Sequence, residues 1–153
     1  MTPHAQRIHE LMTGISQSTP TTPCIPDLKT RRLRAKLIFE EAIETIEALG
    51  FSVHCPDEQI DTTNSDNASF DAVFEPNIEG IADGCADISV VTIGTLIACG
   101  IDDESILTEV DAANLRKIGP GGYHREDGKW MKPADWTPPD IMARLREQGY
   151  TGE

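Results

Sequence analysis

The chain has 153 residues, 39% of them apolar and only 5% aromatic, enough for one helical core and too apolar for a disordered segment. Against 13 bases stand 26 acids, a formal net charge of -13 that repels nucleic acid and free triphosphate alike. A protein this acidic handles phosphates through divalent cations, so the balance points to metal and away from polyanionic polymers.

The first predicted helix runs from Pro3 to Ser16, with His4, Ile8, Leu11, Met12 and Ile15 at helical spacing. Pro20, Pro23 and Pro26 forbid a helix in the loop from Gln17 to Pro26. Asp27 is a natural N-cap for a long second helix to Leu49, with Gly50 as its stop. The polar segment from Phe51 to Phe74 reads as a loop insert, with room for a short strand at Phe51 to His54. A third helix spans Pro76 to Cys99 and ends at Gly100, and Asp102 caps a fourth from Asp103 to Ile118, ended by Gly119-Pro120. Tyr123 to Met131 reads as a β-hairpin with Asp127-Gly128 at its turn. Trp136-Thr137-Pro138-Pro139 cannot be helical, and Asp140 caps a last short helix through Glu147. There are no repeats, and the expectation is one domain over 1–153.

Cys24, Cys55, Cys85 and Cys99 form no C-x-x-C pair and no ligand spacing with the histidines. All four are expected to be reduced, with Cys85 and Cys99 acting as small core residues. No signal peptide is visible and the longest uncharged run is too short for a bilayer, so the expectation is a soluble, cytoplasmic protein without membrane or nucleic-acid partners.

Chemistry concentrates in two of the helices. Glu40, Glu44 and Glu47 fall in one narrow stripe of the second helix, with Glu41 beside it. By itself this pattern is most simply a solvated face. Leu33 and Leu37 lie on the same stripe, however, and Ile38, Ala42, Ile46 and Leu49 line the opposite arc, which wedges the glutamates between two apolar surfaces. From Ile88 to Ile101 the third helix has no charged residue and is apolar on all sides, which predicts a buried helix. The run is too long, and too poor in alternation, to be a strand. Asp83 and Asp87 stand on one face at its N-terminal end. Burying such carboxylates unpaired costs several kcal/mol each, and no base lies near them in sequence. Oxygen ligands at i, i+4 on two helices suit Mg²⁺ or Mn²⁺; exposed helix caps are the alternative.

Glu40-Glu41-x-x-Glu44 followed by an acidic pair opening an apolar helix resembles the MazG-like, all-α NTP pyrophosphohydrolases. That superfamily also contains the dimeric dUTPases and phosphoribosyl-ATP pyrophosphohydrolase. Its usual second motif is Glu-x-x-Asp; here Gly84 stands three before Asp87 and the acid is Asp83, four before. The departure puts one ligand's identity in question but keeps it on the same face. The likeness continues through Asp111-x-x-Asn114-x-x-Lys117, Glu126-Asp127-Gly128-Lys129 and Lys132-Pro133 to Trp136-x-Pro138-Pro139, covering most of Asp27 to Ile141 apart from the insert. Within the family the chain looks most like phage-type members, including the MazZ group of (d)GTP hydrolases.

The resemblance implies a four-helix-bundle-like, all-α domain with a short C-terminal hairpin, which converts a (d)NTP, most simply dGTP or GTP, to (d)NMP and pyrophosphate. It implies two or three Mg²⁺ ions, replaceable by Mn²⁺, held by Glu40, Glu41, Glu44, Asp83 and Asp87, with Glu41 or Glu44 as general base. Asn114, Lys117, Arg125 and Lys129 are the candidates for phosphate or sugar contacts, and Ile8, His9 and Ile25 for the base pocket. For a phage-encoded member the compartment is the host cytoplasm. The apolar third helix predicts a homodimer or homotetramer. The competing readings are a dUTPase-like or dCTPase-like pyrimidine hydrolase, phosphoribosyl-ATP hydrolysis, and a non-catalytic acidic interaction protein.

Overall fold

The computed structural model describes residues 1–54, 68–118, 120–126, 128 and 130–152. Cys55, the polar run Thr62 to Asn67, Gly119, Asp127 and Lys129 lie outside them. Backbone contacts divide the chain into two compact units, one of residues 26–95 and one of residues 1–25 with 96–153.

The first unit holds α2 (Leu28–Ala48), β1 (Phe51–His54), β2 (Ser69–Ala72) and most of α3 (Ile78–Ala98). Asp27 starts α2 as expected: the Thr30 N–H donates to its carboxylate at 2.7 Å, and this bond holds the carboxyl below the usual range. Gly50 ends it at a φ of +97°, where a Cβ would strike the Phe74 carbonyl oxygen at 2.8 Å. The insert is not all loop. Its far end returns as β2, antiparallel to β1 with Phe51 opposite Ala72 and His54 opposite Ser69. Asn77 caps α3, its Oδ1 accepting the Glu79 N–H at 3.2 Å, so the helix begins two residues later than Pro76.

The second unit holds α1 (Pro3–Gly14), the end of α3, α4 (Asp103–Leu115), β3 (Tyr123–His124), β4 (Trp130–Met131) and α5 (Ile141–Glu147). Thr2 caps α1 through the Ala5 N–H, and its own N–H and hydroxyl both donate to Asp103, a buried carboxylate. Ala5, Ile8 and Met12 form the buried face of α1, while Leu11 and Ile15 of the expected stripe are exposed. Asp102 caps α4 and Asp140 caps α5, both as expected. Gly100 ends α3 at a φ of +70°, against the Thr22 backbone. α4 stops at Leu115, three residues short of the sequence reading, so Lys117 stands in the turn beyond it.

Among the described residues the fold is five helices with two short hairpins, the all-α class that the sequence predicts. The run from Ile88 to Ile101 is covered much as expected: Val91, Ile93, Ile97 and Ala98 are buried and Thr92 alone of the run is exposed, whereas Ile78, Ala82, Cys85 and Ala86 in the turns before it are exposed. Cys85 is therefore a surface thiol and not the core residue expected; Cys24, Cys85 and Cys99 are in no disulfide among the described residues. The α3 helix also has the length and hydropathy of a membrane span, although Glu79, Asp83 and Asp87 fall within its first half.

Candidate active site

The acidic residues are positioned by a close approach of two helices. Ideal Cβ atoms at Gly80 and Gly84 would lie 3.1 Å from Ala48 Cβ and 2.4 Å from Thr45 Oγ1. The Asn77 N–H donates to the Ala48 carbonyl at 2.8 Å. As the α2 numbers fall the α3 numbers rise, so the helices run antiparallel, with small residues letting the backbones touch. One turn beyond Thr45 on α2 is Glu41, and about one turn beyond Gly84 on α3 is Asp87. The register sets them at the same level.

The electrostatics carry the signature of that register. Glu41 is half-buried, and its carboxyl is held above the usual range, first by desolvation and then by the charges of Asp87, Glu44, Glu40 and Asp83. Four of the five sequence candidates thus act on the carboxyl of the fifth. Thr45 steadies the spot, its hydroxyl donating to the Glu41 carbonyl at 2.7 Å. The setting is more open than the sequence predicts: Glu40, Glu44 and Asp83 are exposed and Asp87 is half-buried. Among the described residues no three acidic, histidine or cysteine side chains stand at metal-holding separation. The five form an acidic field centred on Glu41, not a closed cage.

The donor set nevertheless suits a hard divalent cation. It offers only carboxylate oxygens, which repel one another. Between Lys36 and Arg116 the sequence contains no lysine or arginine to relieve them. The register also explains the glycine at 84. Its Cβ direction points into Thr45, so an acid there has no room, and Asp83 stands one residue aside.

The remaining candidates lie in the second unit. Lys117 Nζ donates to Asn114 Oδ1 at 2.8 Å, which joins those two. Arg125 is exposed beside β3, and Lys129 lies outside the described residues. Of the base-pocket candidates, Ile8 is core and Ile25 is 73% exposed. His9 lines a cavity of about 360 Å³, with Pro20, Thr21, Ile97 and Ile101 among its walls. Three contributors escape the sequence reading: Gly80 and Thr45 at the helix contact, and Trp136, on which two lysines gather. The Gly80-x-x-x-Gly84 spacing, one glycine per turn on one face, is the signal that could have revealed the first two.

The described structure is thus an all-α domain in which two paired helices turn five carboxylates towards one another. The phosphoribosyl-ATP pyrophosphohydrolase (PRA-PH) family profile matches residues 5–114, more than two thirds of the chain, and the chain belongs to that family. The family is related to the MazG-like enzymes and supports a nucleotide pyrophosphohydrolase activity in general. The match takes in Glu40 to Asp87 and ends at Asn114, so Lys117 and the tail lie beyond it. No curated protein matches the chain.

Proposed function

We propose that the chain is a Mg²⁺-dependent nucleoside triphosphate pyrophosphohydrolase, converting a (d)NTP, with dGTP or GTP as the first choice, to the monophosphate and pyrophosphate. The observation that carries this reading is the convergence of Glu40, Glu44, Asp83 and Asp87 on Glu41 in a stretch without lysine or arginine. Glu40, Glu44, Asp83 and Asp87, with Glu41, would hold two or three Mg²⁺ ions, for which Mn²⁺ can substitute. Bound there, the metal supplies charge neutralisation for the triphosphate and orients its α-phosphorus. Glu41, which lies beside the stripe of Glu40, Glu44 and Glu47, would take the proton of the attacking water. Glu44, a residue of the same helix, is the alternative base. Asn114 and Lys117, with Arg125 and Lys129, contact phosphate or sugar, and His9 contacts the base. Such a substrate and cation fit a cytoplasmic protein, and the exposed apolar surface fits a homodimer or homotetramer.

The test is pyrophosphate release from the eight common nucleotides, with Mg²⁺ and with EDTA. Release confined to the Mg²⁺ arm is expected. Accumulation of a diphosphate product instead would move the cleaved bond and overturn the reading. The family match favours a second substrate, phosphoribosyl-ATP, which offers the same triphosphate linkage and belongs in the same panel.

A further inference from the structure

Both tryptophans of the chain stand at one place. Trp130 on β4 and Trp136 in the following tail line a cavity of about 220 Å³ together with Lys117, Met131 and Lys132. The indoles are fixed by their N–H groups: Trp130 Nε1 donates to the Lys117 carbonyl and Trp136 Nε1 to the Ala113 carbonyl, each at 2.8 Å. The Ala113 carbonyl belongs to the last turn of α4, which a helix leaves without internal donors, and the Lys117 carbonyl to the turn that follows. The fixed Trp136 then gathers charge. Lys132 Nζ lies 3.8 Å from its ring centroid and Lys117 Nζ 5.5 Å.

Cation–π attraction holds an ammonium on a ring without neutralising it. Among the described residues neither ammonium has a carboxylate partner; Lys117 donates to Asn114 Oδ1, and Lys132 has only the indole. Two like charges on one ring repel until an anion joins them, and among the described residues this pair has none. A nucleobase is a poor fit for the ring face that Lys132 covers. A ligand with two charged ends fits the two ammoniums, each with hydrogens left to donate.

We propose that Lys117 and Lys132, organised on Trp136, bind a diphosphate or longer phosphate chain. Its source, either the substrate's phosphates or released pyrophosphate, rests on the nucleotide reading above; the oligophosphate chemistry does not.

Because both tryptophans line the cavity, their emission reports it. The full chain is titrated in EDTA at constant ionic strength with pyrophosphate, dGTP and dGMP. Without metal the acidic field on α2 and α3 repels these anions, so a response comes from the tail. A saturable change with pyrophosphate is expected, with dGMP weaker by about tenfold for want of a second charged end. Lys132→Met should weaken pyrophosphate by about tenfold. Lys132→Arg, which keeps the charge, and Lys29→Met, on the other unit, should stay close to wild type. Lys117→Met is the second variant if Lys132→Met loses its circular dichroism. A dGTP response equal to that of pyrophosphate assigns the site to substrate, and a pyrophosphate response alone assigns it to product; both support the site. No saturable change, the same change with sodium chloride, or a folded Lys132→Met that binds like wild type overturns it. Pyrophosphate release with Mg²⁺ is assayed separately, so a missing activity and a missing tail site are told apart.

Discussion

Glu41 is where the chemistry and the stability of this protein meet. Its carboxyl is pushed up by burial and by the four acids that face it, so ionising it at neutral pH works against the metal-free fold. Unfolded, the same group titrates in the ordinary glutamate range. The folded state therefore binds that proton more tightly, and the penalty grows as pH rises from the ordinary range through the raised pKa. Glu41→Gln should accordingly melt above wild type in EDTA at neutral pH, and the gap should shrink towards zero on acidification through that window. Equal melting points across the range would mean that the acids do not act on Glu41. In Mg²⁺ the same residues should show the opposite face of the arrangement. Glu40→Gln, Glu44→Gln and Asp87→Asn should each lower turnover by orders of magnitude, as each removes a ligand charge. Retained turnover in any two of them would misplace the site.

Helix packing decides whether those residues can act together at all. The α2–α3 contact depends on Gly84, whose missing Cβ would sit 2.4 Å from Thr45 Oγ1 and 3.1 Å from the Thr45 Cα. Gly84→Ala forces the helices apart against a backbone atom and should cost about 1–3 kcal/mol, the usual range for overpacking. Gly80→Ala should cost less, because it meets the Ala48 methyl and the movable Asn77 amide at 3.1 Å. Denaturant titration of the two variants orders them, and a Gly84→Ala protein as stable as wild type would show that the contact is looser than drawn. Thr45→Ala should recover part of the loss in the double variant, since neighbours in contact are not additive.

Charge and apolar surface set the behaviour of the whole molecule. With 26 acids to 13 bases, any ion that binds the folded acidic site and not the unfolded chain stabilises by mass action. Millimolar Mg²⁺ should therefore raise the wild-type melting midpoint well beyond the effect of the same ionic strength of sodium chloride. Equal shifts from both salts would reduce the site to a screened acidic stripe. Phe39 at 67%, Phe74 at 52% and Ile78 at 80% are far more exposed than a lone soluble chain usually leaves such residues. We expect a homodimer or a dimer of dimers, and a monomer by light scattering at micromolar concentration would refute it.

What the sequence determined by itself was local. Asp27, Asp102 and Asp140 cap helices through their own neighbours, and Gly50 and Gly100 end two of them because only glycine takes their φ cheaply. The grouping of Glu40, Glu41 and Glu44 on one helix and of Asp83 and Asp87 on another follows from helical periodicity, with no knowledge of what lies between. The tertiary structure alone decided the rest. The β2 strand exists because β1 supplies its partner, and nothing in its own four residues requires it. The apolar run from Ile88 to Ile101 foretold the covered part of α3, but the exposure of Cys85 in the turn before it was set by how much neighbouring surface is available, which hydrophobicity does not state. The meeting of Asp87 with Glu41, and of Lys117 with Trp136, joins residues far apart in the chain, which periodicity cannot reach and only packing can supply.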